Sequence, residues 1–151
     1  MSWIKKHNKN TSEFIPINTE KYVGKWPILI RSQWERMFSQ FLDMNKNIVA
    51  WSSENIMIRY LDPLFPGSNK TRRYYPDFWF KNLQGEQYII EIKPLKETKP
   101  PVQSKRKSHK TILTEQRTWE TNKAKFKAAQ QYAQKMGMKF RVVTEKELFN
   151  K

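Results

Sequence analysis

The amino-acid sequence predicts an α/β fold in which a mixed β-sheet is flanked by helices, in the order helix, three strands, helix, strand. Two runs rich in aromatic and β-branched residues lie on either side of residues 82–85, which is typical of a β-hairpin. Apolar residues recur at helical spacing in one stretch before this hairpin and in another after it. The aromatic content of 14% is high for a chain with a net charge of +15, and it favours a folded basic domain over a disordered one.

The composition narrows the class of partner. The chain of 151 residues has 29 Lys and Arg against 14 Asp and Glu, which favours nucleic acid. No apolar run is long enough to span a membrane, so we expect no membrane partner. The chain has no cysteine and only two histidines, which excludes thiolate zinc sites and argues against a histidine-rich metal nuclease.

Residues 1–27 are expected to form a basic and aromatic N-terminal arm, followed by a single domain at residues 28–151. The arm is polar, is interrupted by two prolines and a glycine, and carries five lysines and two glutamates. We therefore expect it to be irregular. Its aromatic side chains fit two alternatives equally, namely docking on a partner or packing against the domain itself.

A short strand is expected at residues 28–30, and a helix is expected from Ser32 onwards. The apolar face of this helix follows helical spacing and consists of Trp34, Phe38, Phe41 and Leu42. Ser32 and Glu35 have the spacing of a capping box, in which Glu35 would accept a hydrogen bond from the Ser32 backbone. A further strand is expected over most of residues 48–60. Glu54 in this stretch could be a further acid near the site, but we interpret it as a solvated strand residue.

The hairpin at residues 74–94 carries the candidate chemistry. A three-residue loop with Gly85 in the left-handed conformation predicts a register in which paired residue numbers add up to 168, so that Asp77 faces Glu91. Directly opposed side chains have Cβ atoms about 4.5–5.5 Å apart. Strand alternation places Glu91 and Lys93 on one face and turns the neighbouring isoleucines into a core.

Two opposed carboxylates repel each other unless a cation lies between them. Mg²⁺ prefers carboxylate oxygens and retains waters, and a neighbouring lysine can hold a hydroxide or stabilise charge in a transition state. The alternative is a surface salt bridge between Lys93 and one of the acids. The hairpin spacing of Asp77 and Glu91 favours the cation site.

Residues 95–113 are predicted to form a basic loop. Pro100 and Pro101 argue against a helix there, and the basic side chains that follow are Lys105, Arg106, Lys107 and Lys110. The loop begins beside the strand that carries Lys93. Clustered cations bind phosphate backbones without reading base sequence, so we assign these four side chains to DNA. The alternative is a solvated loop with no role in binding.

A long helix is predicted at residues 114–136 and is ended by Gly137. A strand at residues 138–143 and a helical turn capped by Thr144 and Glu147 complete the chain. The apolar stripe of the helix consists of Trp119, Phe126, Ala129, Ala133 and Met136.

Five polar residues of this helix are candidates for function. Asn122 falls on the apolar stripe, either as a satisfied buried group or as a side chain that points into a cleft. Lys123 and Lys127 lie on the polar face and are assigned to DNA. Gln116 and Lys125 are, with Asn122, candidate accessory residues of the site.

The sequence around these positions resembles that of known nucleases. Pro76 and Asp77, with Glu91 and Lys93, are similar to the two halves of the motif of the PD-(D/E)xK nuclease superfamily. The flanking residues resemble the head-completion nucleases of T-even-like tailed bacteriophages, and transposon-encoded endonuclease subunits are more distantly similar. The flanking residues are Asn18, Lys21 to Gly24, Arg31 to Glu35, Trp51 to Glu54, Arg73 to Phe78, Glu91 to Pro94, Pro100, Pro101 and Thr144 to Leu148. Arg72 stands where we expected a histidine.

The resemblance implies a restriction-endonuclease-like fold and Mg²⁺-dependent hydrolysis of DNA, with Mn²⁺ as a substitute. It assigns Asp77, Glu91 and Glu35 to the metal and Lys93 to the attacking water. Sequence does not separate a metal role for Glu35 from the capping role.

The resemblance also implies a biological setting. We expect action in phage head completion and head–tail joining, with DNA bound largely without sequence preference and with capsid portal or neck proteins as partners. The place of action would be the host cytoplasm during assembly and then the virion. The alternative is a non-catalytic protein that binds DNA ends or the capsid neck.

Overall fold

The computed structural model describes residues 11–149 of the chain. The strands of this part are β1 (Ser12–Phe14), β2 (Ile28–Ile30), β3 (Ile48–Ser53), β4 (Ile58–Leu61), β5 (Thr71–Tyr74), β6 (Phe78–Asn82), β7 (Gln87–Ile92) and β8 (Lys139–Val143). The α-helices are α1 (Gln33–Met44), α2 (His109–Met136) and α3 (Glu145–Leu148), and short 3-10 helices lie at Thr19–Lys21 and Leu95–Thr98.

A mixed four-stranded sheet forms the centre of the fold. Its strand order is β3-β6-β7-β8, where β3, β6 and β7 are antiparallel neighbours and β8 runs parallel to β7. Helix α2 lies on the crossover from β7 to β8, as a parallel pair requires. The predicted α/β class, with a mixed sheet flanked by helices, is confirmed.

Both faces of the central sheet are covered. On one face, Phe38 and Leu42 of α1 pack in a cluster with Phe78 and Ile90. The opposite face packs against α2, whose contribution includes the fully buried Ala129 and Ala133. Because β7 has a helix on each side, its last four residues are all buried, and polar groups on it lie away from bulk water.

The hairpin between β6 and β7 has the predicted register. The paired residues run from Phe78 with Ile90 to Lys81 with Gln87, so their numbers add up to 168. Gly85 has a φ of +83°, and its N–H donates to the Asn82 carbonyl at 3.0 Å. The loop length and the left-handed glycine together set which side chains meet at the open end of the hairpin.

We expected the segment before β2 to be irregular, but part of it forms a strand. Strand β1 pairs with β2, and Phe14 and Tyr22 are buried in the same core as α1. The sequence signal was weak because β1 has only three residues. The rest of the predicted arm, residues 1–10, lies outside the described residues.

Two further element boundaries differ from the prediction. Residues 48–60 do not form one strand, because the chain leaves β3 at Glu54 and β4 pairs with β5 in a separate sheet. Helix α2 begins at His109 rather than at residue 114, because Ser108 caps it by accepting the Thr111 N–H at 3.1 Å. Lys110 therefore lies on the helix and not in the loop.

Other predictions for the helices are mixed. Gly137 ends α2 with a φ of +73°, and Thr144 with Glu147 forms the predicted capping box of α3. The predicted apolar faces are too wide, since Phe41 is 48% exposed and Met136 is 51% exposed.

Among residues 11–149, no helix is long and apolar enough to cross a membrane.

Candidate functional site

The candidate site lies at the open end of the hairpin. Asp77 directly precedes β6, Glu91 lies in β7, and Lys93 directly follows β7. The two strands are antiparallel, so these positions meet, and the Ile92 N–H donates to Asp77 Oδ2 at 2.7 Å. The Lys93 N–H is fixed in turn by the Val143 carbonyl of β8 at 3.0 Å. The central sheet thus holds Asp77, Glu91 and Lys93 in one place.

Glu91 is buried, with 6% exposure, and both of its oxygens have partners. The Tyr74 hydroxyl donates to Glu91 Oε1 at 2.7 Å, and Lys93 Nζ lies 3.7 Å from Glu91 Oε2. Burial raises the pKa of the Glu91 carboxyl, while the Tyr74 hydrogen bond and the Lys93 charge act in the opposite direction. Glu91 is thus held in a fixed orientation by a neutral donor and a cation.

A second group of acids meets Asp77 from two other elements. Carboxylate oxygens of Glu35, Glu54 and Asp77 all lie within 4.8 Å of one another, and we call these three residues the acidic cluster. Glu35 is in the first turn of α1, and Glu54 directly follows β3. Oxygen ligands from several elements at this separation fit a hard divalent cation.

The electrostatics of the site favour an added positive charge. Burial and the neighbouring charges of Glu91 and Glu35 raise the pKa of Asp77 well above its usual range. Burial also raises the pKa of Glu35, and Glu54 adds to the effect. A cation bound here would relieve repulsion that the folded protein otherwise bears.

Only the first half of the capping box that the sequence left open is seen, because Glu35 is bonded to the Ser32 side chain and not to its backbone N–H. Ser32 Oγ accepts the Glu35 N–H at 3.1 Å, which caps α1, and the Ser32 hydroxyl lies 3.1 Å from Glu35 Oε2. The cap is made by the backbone of Glu35, and its carboxylate, which accepts the Ser32 hydroxyl, also belongs to the acidic cluster.

Our interpretation of Glu54 as a solvated strand residue is wrong. It lies beyond β3 with a φ of +45°, an uncommon conformation for a residue other than glycine. Arg31 binds its carboxylate through two nitrogens, at 2.9 and 3.1 Å. Arg31 and Tyr74 were not singled out for these contacts, because each pairs with a residue distant in sequence and no spacing signals such a pair.

The candidate accessory residues of α2 differ in their surroundings. Lys125 lies near the site, with its Nζ 5.5 Å from the centre of the Tyr74 ring, and burial followed by the Lys93 charge lowers its pKa. Gln116 is exposed and donates to Glu120 at 3.0 Å. Asn122 is 3% exposed, and its Nδ2 has no hydrogen-bond partner among the described residues. Asn122 is therefore buried without being satisfied.

The basic residues assigned to DNA also fall into two groups. Within residues 11–149, the exposed side chains of Lys105, Arg106, Lys110 and Lys127 make no ion pair. Lys107 Nζ instead lies 3.0 Å from Glu115 Oε1, and Lys123 Nζ lies 3.1 Å from Glu120 Oε2. The first group offers uncompensated charge to a polyanion.

Comparison with known proteins gives two matches that agree with this geometry. The family model described as "TnsA-like endonuclease N terminal" matches residues 45–145, which include Glu54, Asp77, Glu91 and Lys93. The "Head completion nuclease" of Enterobacteria phage T4 is 42% identical to this chain over 139 residues. That alignment covers 89% of this chain and 91% of the relative.

Proposed function

The chain belongs to the TnsA-like endonuclease N-terminal family, with its restriction-endonuclease-like fold, and on this premise we propose that it is a DNA nuclease of phage head completion. The observation that carries the proposal is the meeting of Asp77, Glu91 and Lys93 at the open end of the hairpin, beside Glu35. A protein that only binds DNA needs no such group of converging acids around one lysine.

We propose that the site uses Mg²⁺, for which Mn²⁺ can substitute. The donor set fits, because carboxylate oxygens converge in the acidic cluster, where burial and then the neighbouring acids raise the carboxyl pKa values of Asp77 and Glu35. When bound, the cation supplies Lewis-acid stabilisation of charge on the phosphoryl oxygens. Asp77 lies within reach of both Glu35 and Glu91, so we assign it as the central ligand.

The third ligand has two candidates, Glu54 and Glu91. Glu54 lies in the acidic cluster but is bound by Arg31 through two hydrogen bonds, whereas Glu91 is oriented by Tyr74 towards Lys93. We assign Glu91, because its second oxygen meets Lys93 only at 3.7 Å, whereas Arg31 binds both oxygens of Glu54 at 2.9 and 3.1 Å. Mg²⁺ titrations of Glu91→Gln and Glu54→Gln test this assignment. The first variant should weaken Mg²⁺ binding more than the second.

Lys93 is the catalytic cation in this proposal. Its ammonium lies beside Glu91 and can position the attacking water and stabilise negative charge that develops at phosphorus. In hydrolysis, the water oxygen forms a new bond to phosphorus, one P–O ester bond breaks, and the leaving oxygen takes a proton. Tyr74 acts one step away, as a positioning residue for Glu91.

We further propose that exposed cations around the start of α2 hold the DNA backbone. Lys105, Arg106 and Lys110 support this because no carboxylate neutralises them within the described residues. Phosphate contacts do not read base sequence, so binding is largely non-specific. A role in head completion, as in the name of the phage relative, fits capsid portal or neck proteins as partners, and we propose these, first in the host cytoplasm and then in the virion.

The test is incubation of purified protein with supercoiled plasmid in Mg²⁺, in Mn²⁺ and in EDTA. We expect nicked or linear DNA with either metal and intact plasmid in EDTA. Lys93→Met should bind the plasmid without cutting it. Binding without cleavage by the wild type would instead support the non-catalytic alternative, a protein of DNA ends or the capsid neck.

A further inference from the structure

A cavity of about 810 Å³ lies between the N-terminal half of α2 and the segment that follows Lys93. Its walls include the 3-10 helix Leu95–Thr98, the Pro100 and Pro101 pair, and Trp119 and Asn122 of α2. This volume is within the range of small-molecule sites. The acidic cluster contributes no residue to the lining, so the cavity is separate from the candidate cation site.

Asn122 is the unexplained polar group of this cavity. Its side chain is 97% buried, since its exposure is 3%, and Nδ2 has no partner among residues 11–149. A buried amide donor without an acceptor destabilises a fold, and such groups in native proteins usually have a reason. An acceptor on a bound molecule would supply the missing hydrogen bond.

The chemistry of the lining fits a heterocyclic base better than a phosphate. The lining is balanced in charge, so it offers no excess positive charge to an anion. It contains three glutamates and three lysines, namely Glu97, Glu115, Glu145, Lys96, Lys99 and Lys107. A nucleobase is neutral, and its edge presents both acceptors for an amide and donors for a carboxylate. Trp119 adds an aromatic side chain of the kind on which bases stack in single-strand sites.

The charges at the cavity's edge fit the backbone that would carry such a base. Lys96 and Lys99 belong to the lining and are exposed. Leu95 stands only two residues after Lys93, so the two Cα atoms lie at most about 7 Å apart. A neighbouring nucleotide of a strand whose phosphate reaches Lys93 is therefore within reach of this cavity.

We propose that this cavity receives an unpaired base of the DNA strand that enters the candidate site, with Asn122 hydrogen-bonded to the base edge and Trp119 packed on its ring. The proposal rests on the proposed function, since it needs DNA at Lys93. Its consequence is a preference for DNA that contains a single-stranded segment, because a base within an intact duplex cannot leave its stack without cost.

The test compares two fluorescent probes in EDTA, where cleavage is not expected. Both are the same short duplex with a single-stranded extension, which carries thymine in one probe and abasic sites in the other. The phosphates are identical, so the ratio of the two dissociation constants isolates the base. Extensions at the 3′ and the 5′ end are measured separately. For the wild type we expect the abasic probe to bind about 5- to 150-fold more weakly in one polarity.

Two variants and one control locate the effect. Trp119→Leu and Asn122→Leu should each lower the ratio of the two dissociation constants towards one. Trp26→Leu changes a 55% exposed tryptophan outside the cavity and should leave this ratio at the wild-type value. Asn122→Leu removes the unpaired amide at similar size, so it should melt no lower than the wild type and remain a folded reporter.

Three outcomes would overturn the proposal. The first is a wild-type ratio of dissociation constants equal to one in both polarities. The second is a ratio that stays at the wild-type value in both folded cavity variants. The third is a fall in this ratio for Trp26→Leu as large as that for Trp119→Leu. The proposed nuclease function is judged by plasmid cleavage. A wild type that cleaves plasmid but shows a ratio of one would refute the base site alone.

Discussion

The Tyr74 hydroxyl donates a 2.7 Å hydrogen bond to Glu91 Oε1, and both residues are buried. Tyr74 ends β5 in the small two-stranded sheet, whereas Glu91 belongs to β7 in the central sheet. The small sheet therefore supplies the donor that orients an acid of the candidate site. Burial and the adjacent Glu91 charge raise the pKa of Tyr74, so its hydroxyl stays protonated and remains a donor at neutral pH.

Removing this donor should impair cleavage without abolishing it. Tyr74→Phe leaves a buried carboxylate oxygen without its partner, and loss of an orienting partner near a metal site typically costs about 10- to 100-fold in activity or metal affinity. Plasmid nicking rates over a series of Mg²⁺ concentrations give the measurement. The control is Tyr75→Phe, which changes a side chain that is 45% exposed. Equal nicking rates for Tyr74→Phe and Tyr75→Phe would contradict a role of Tyr74 in the site.

Lys93→Met tests the catalytic cation. The change keeps the length of the side chain and removes its charge beside Glu91, so nicking should fall at least about 100-fold, the size of a lost transition-state contact. Binding of the same plasmid in EDTA should persist. Lys81→Met, in the exposed part of β6, is the matched control and should cut as the wild type does. Nicking by Lys93→Met at the wild-type rate would end this assignment.

Replacing Lys105, Arg106 and Lys110 by Gln tests the DNA-binding surface. Affinity should fall equally for unrelated duplex sequences, and the slope of log K against log salt should flatten by up to about 0.9 per lost phosphate contact. Lys107→Gln is the control, because Lys107 is already paired with Glu115 at 3.0 Å and should contribute less. An unchanged slope in the triple variant would mean that this surface lies away from DNA.

The hairpin shows how far sequence alone could go. Loop length and a glycine that tolerates positive φ determine a local register, so the meeting of Asp77, Glu91 and Lys93 could be predicted from one stretch of chain. The strands of the central sheet and helix α2 could also be predicted locally, because apolar residues repeat at a regular spacing along each element.

The remaining parts of the site depend on contacts that no local pattern encodes. The ion pair of Arg31 with Glu54 joins residues 23 positions apart, and it accompanies a backbone conformation that glutamate rarely adopts. The cavity beside Asn122 forms only when α2 packs on the segment after Lys93. Helical spacing could place Asn122 on the buried stripe, but it could not show whether an acceptor was nearby.

The pH dependence of stability provides an independent test of the electrostatics. The folded-state pKa values of Asp77, Glu35 and Glu91 are raised above ordinary values of 3.8 and 4.5. Between the ordinary and the raised pKa the folded state binds more protons than the unfolded state, so stability in EDTA should fall as pH rises through that window. Asp77→Asn should make this fall shallower, as measured by urea unfolding at a series of pH values.

The control for this measurement has the opposite sign. Arg72 lowers the pKa of Asp62, so Asp62 adds stability above its ordinary pKa, and Asp62→Asn should remove that contribution. A fall in stability that is equally steep in Asp77→Asn and wild type would contradict the raised pKa of Asp77.

The claim that Asp77 is the centre of a divalent-cation site is tested most directly by thermal melts of wild type and Asp77→Asn, each in EDTA and in Mg²⁺. Asparagine keeps the shape and can still accept the Ile92 N–H, so the variant should be no less stable than wild type in EDTA. Mg²⁺ should raise the Tm of wild type, because a ligand that binds only the folded state stabilises it, and it should raise that of the variant much less. Equal Mg²⁺ shifts for the two proteins would contradict the account.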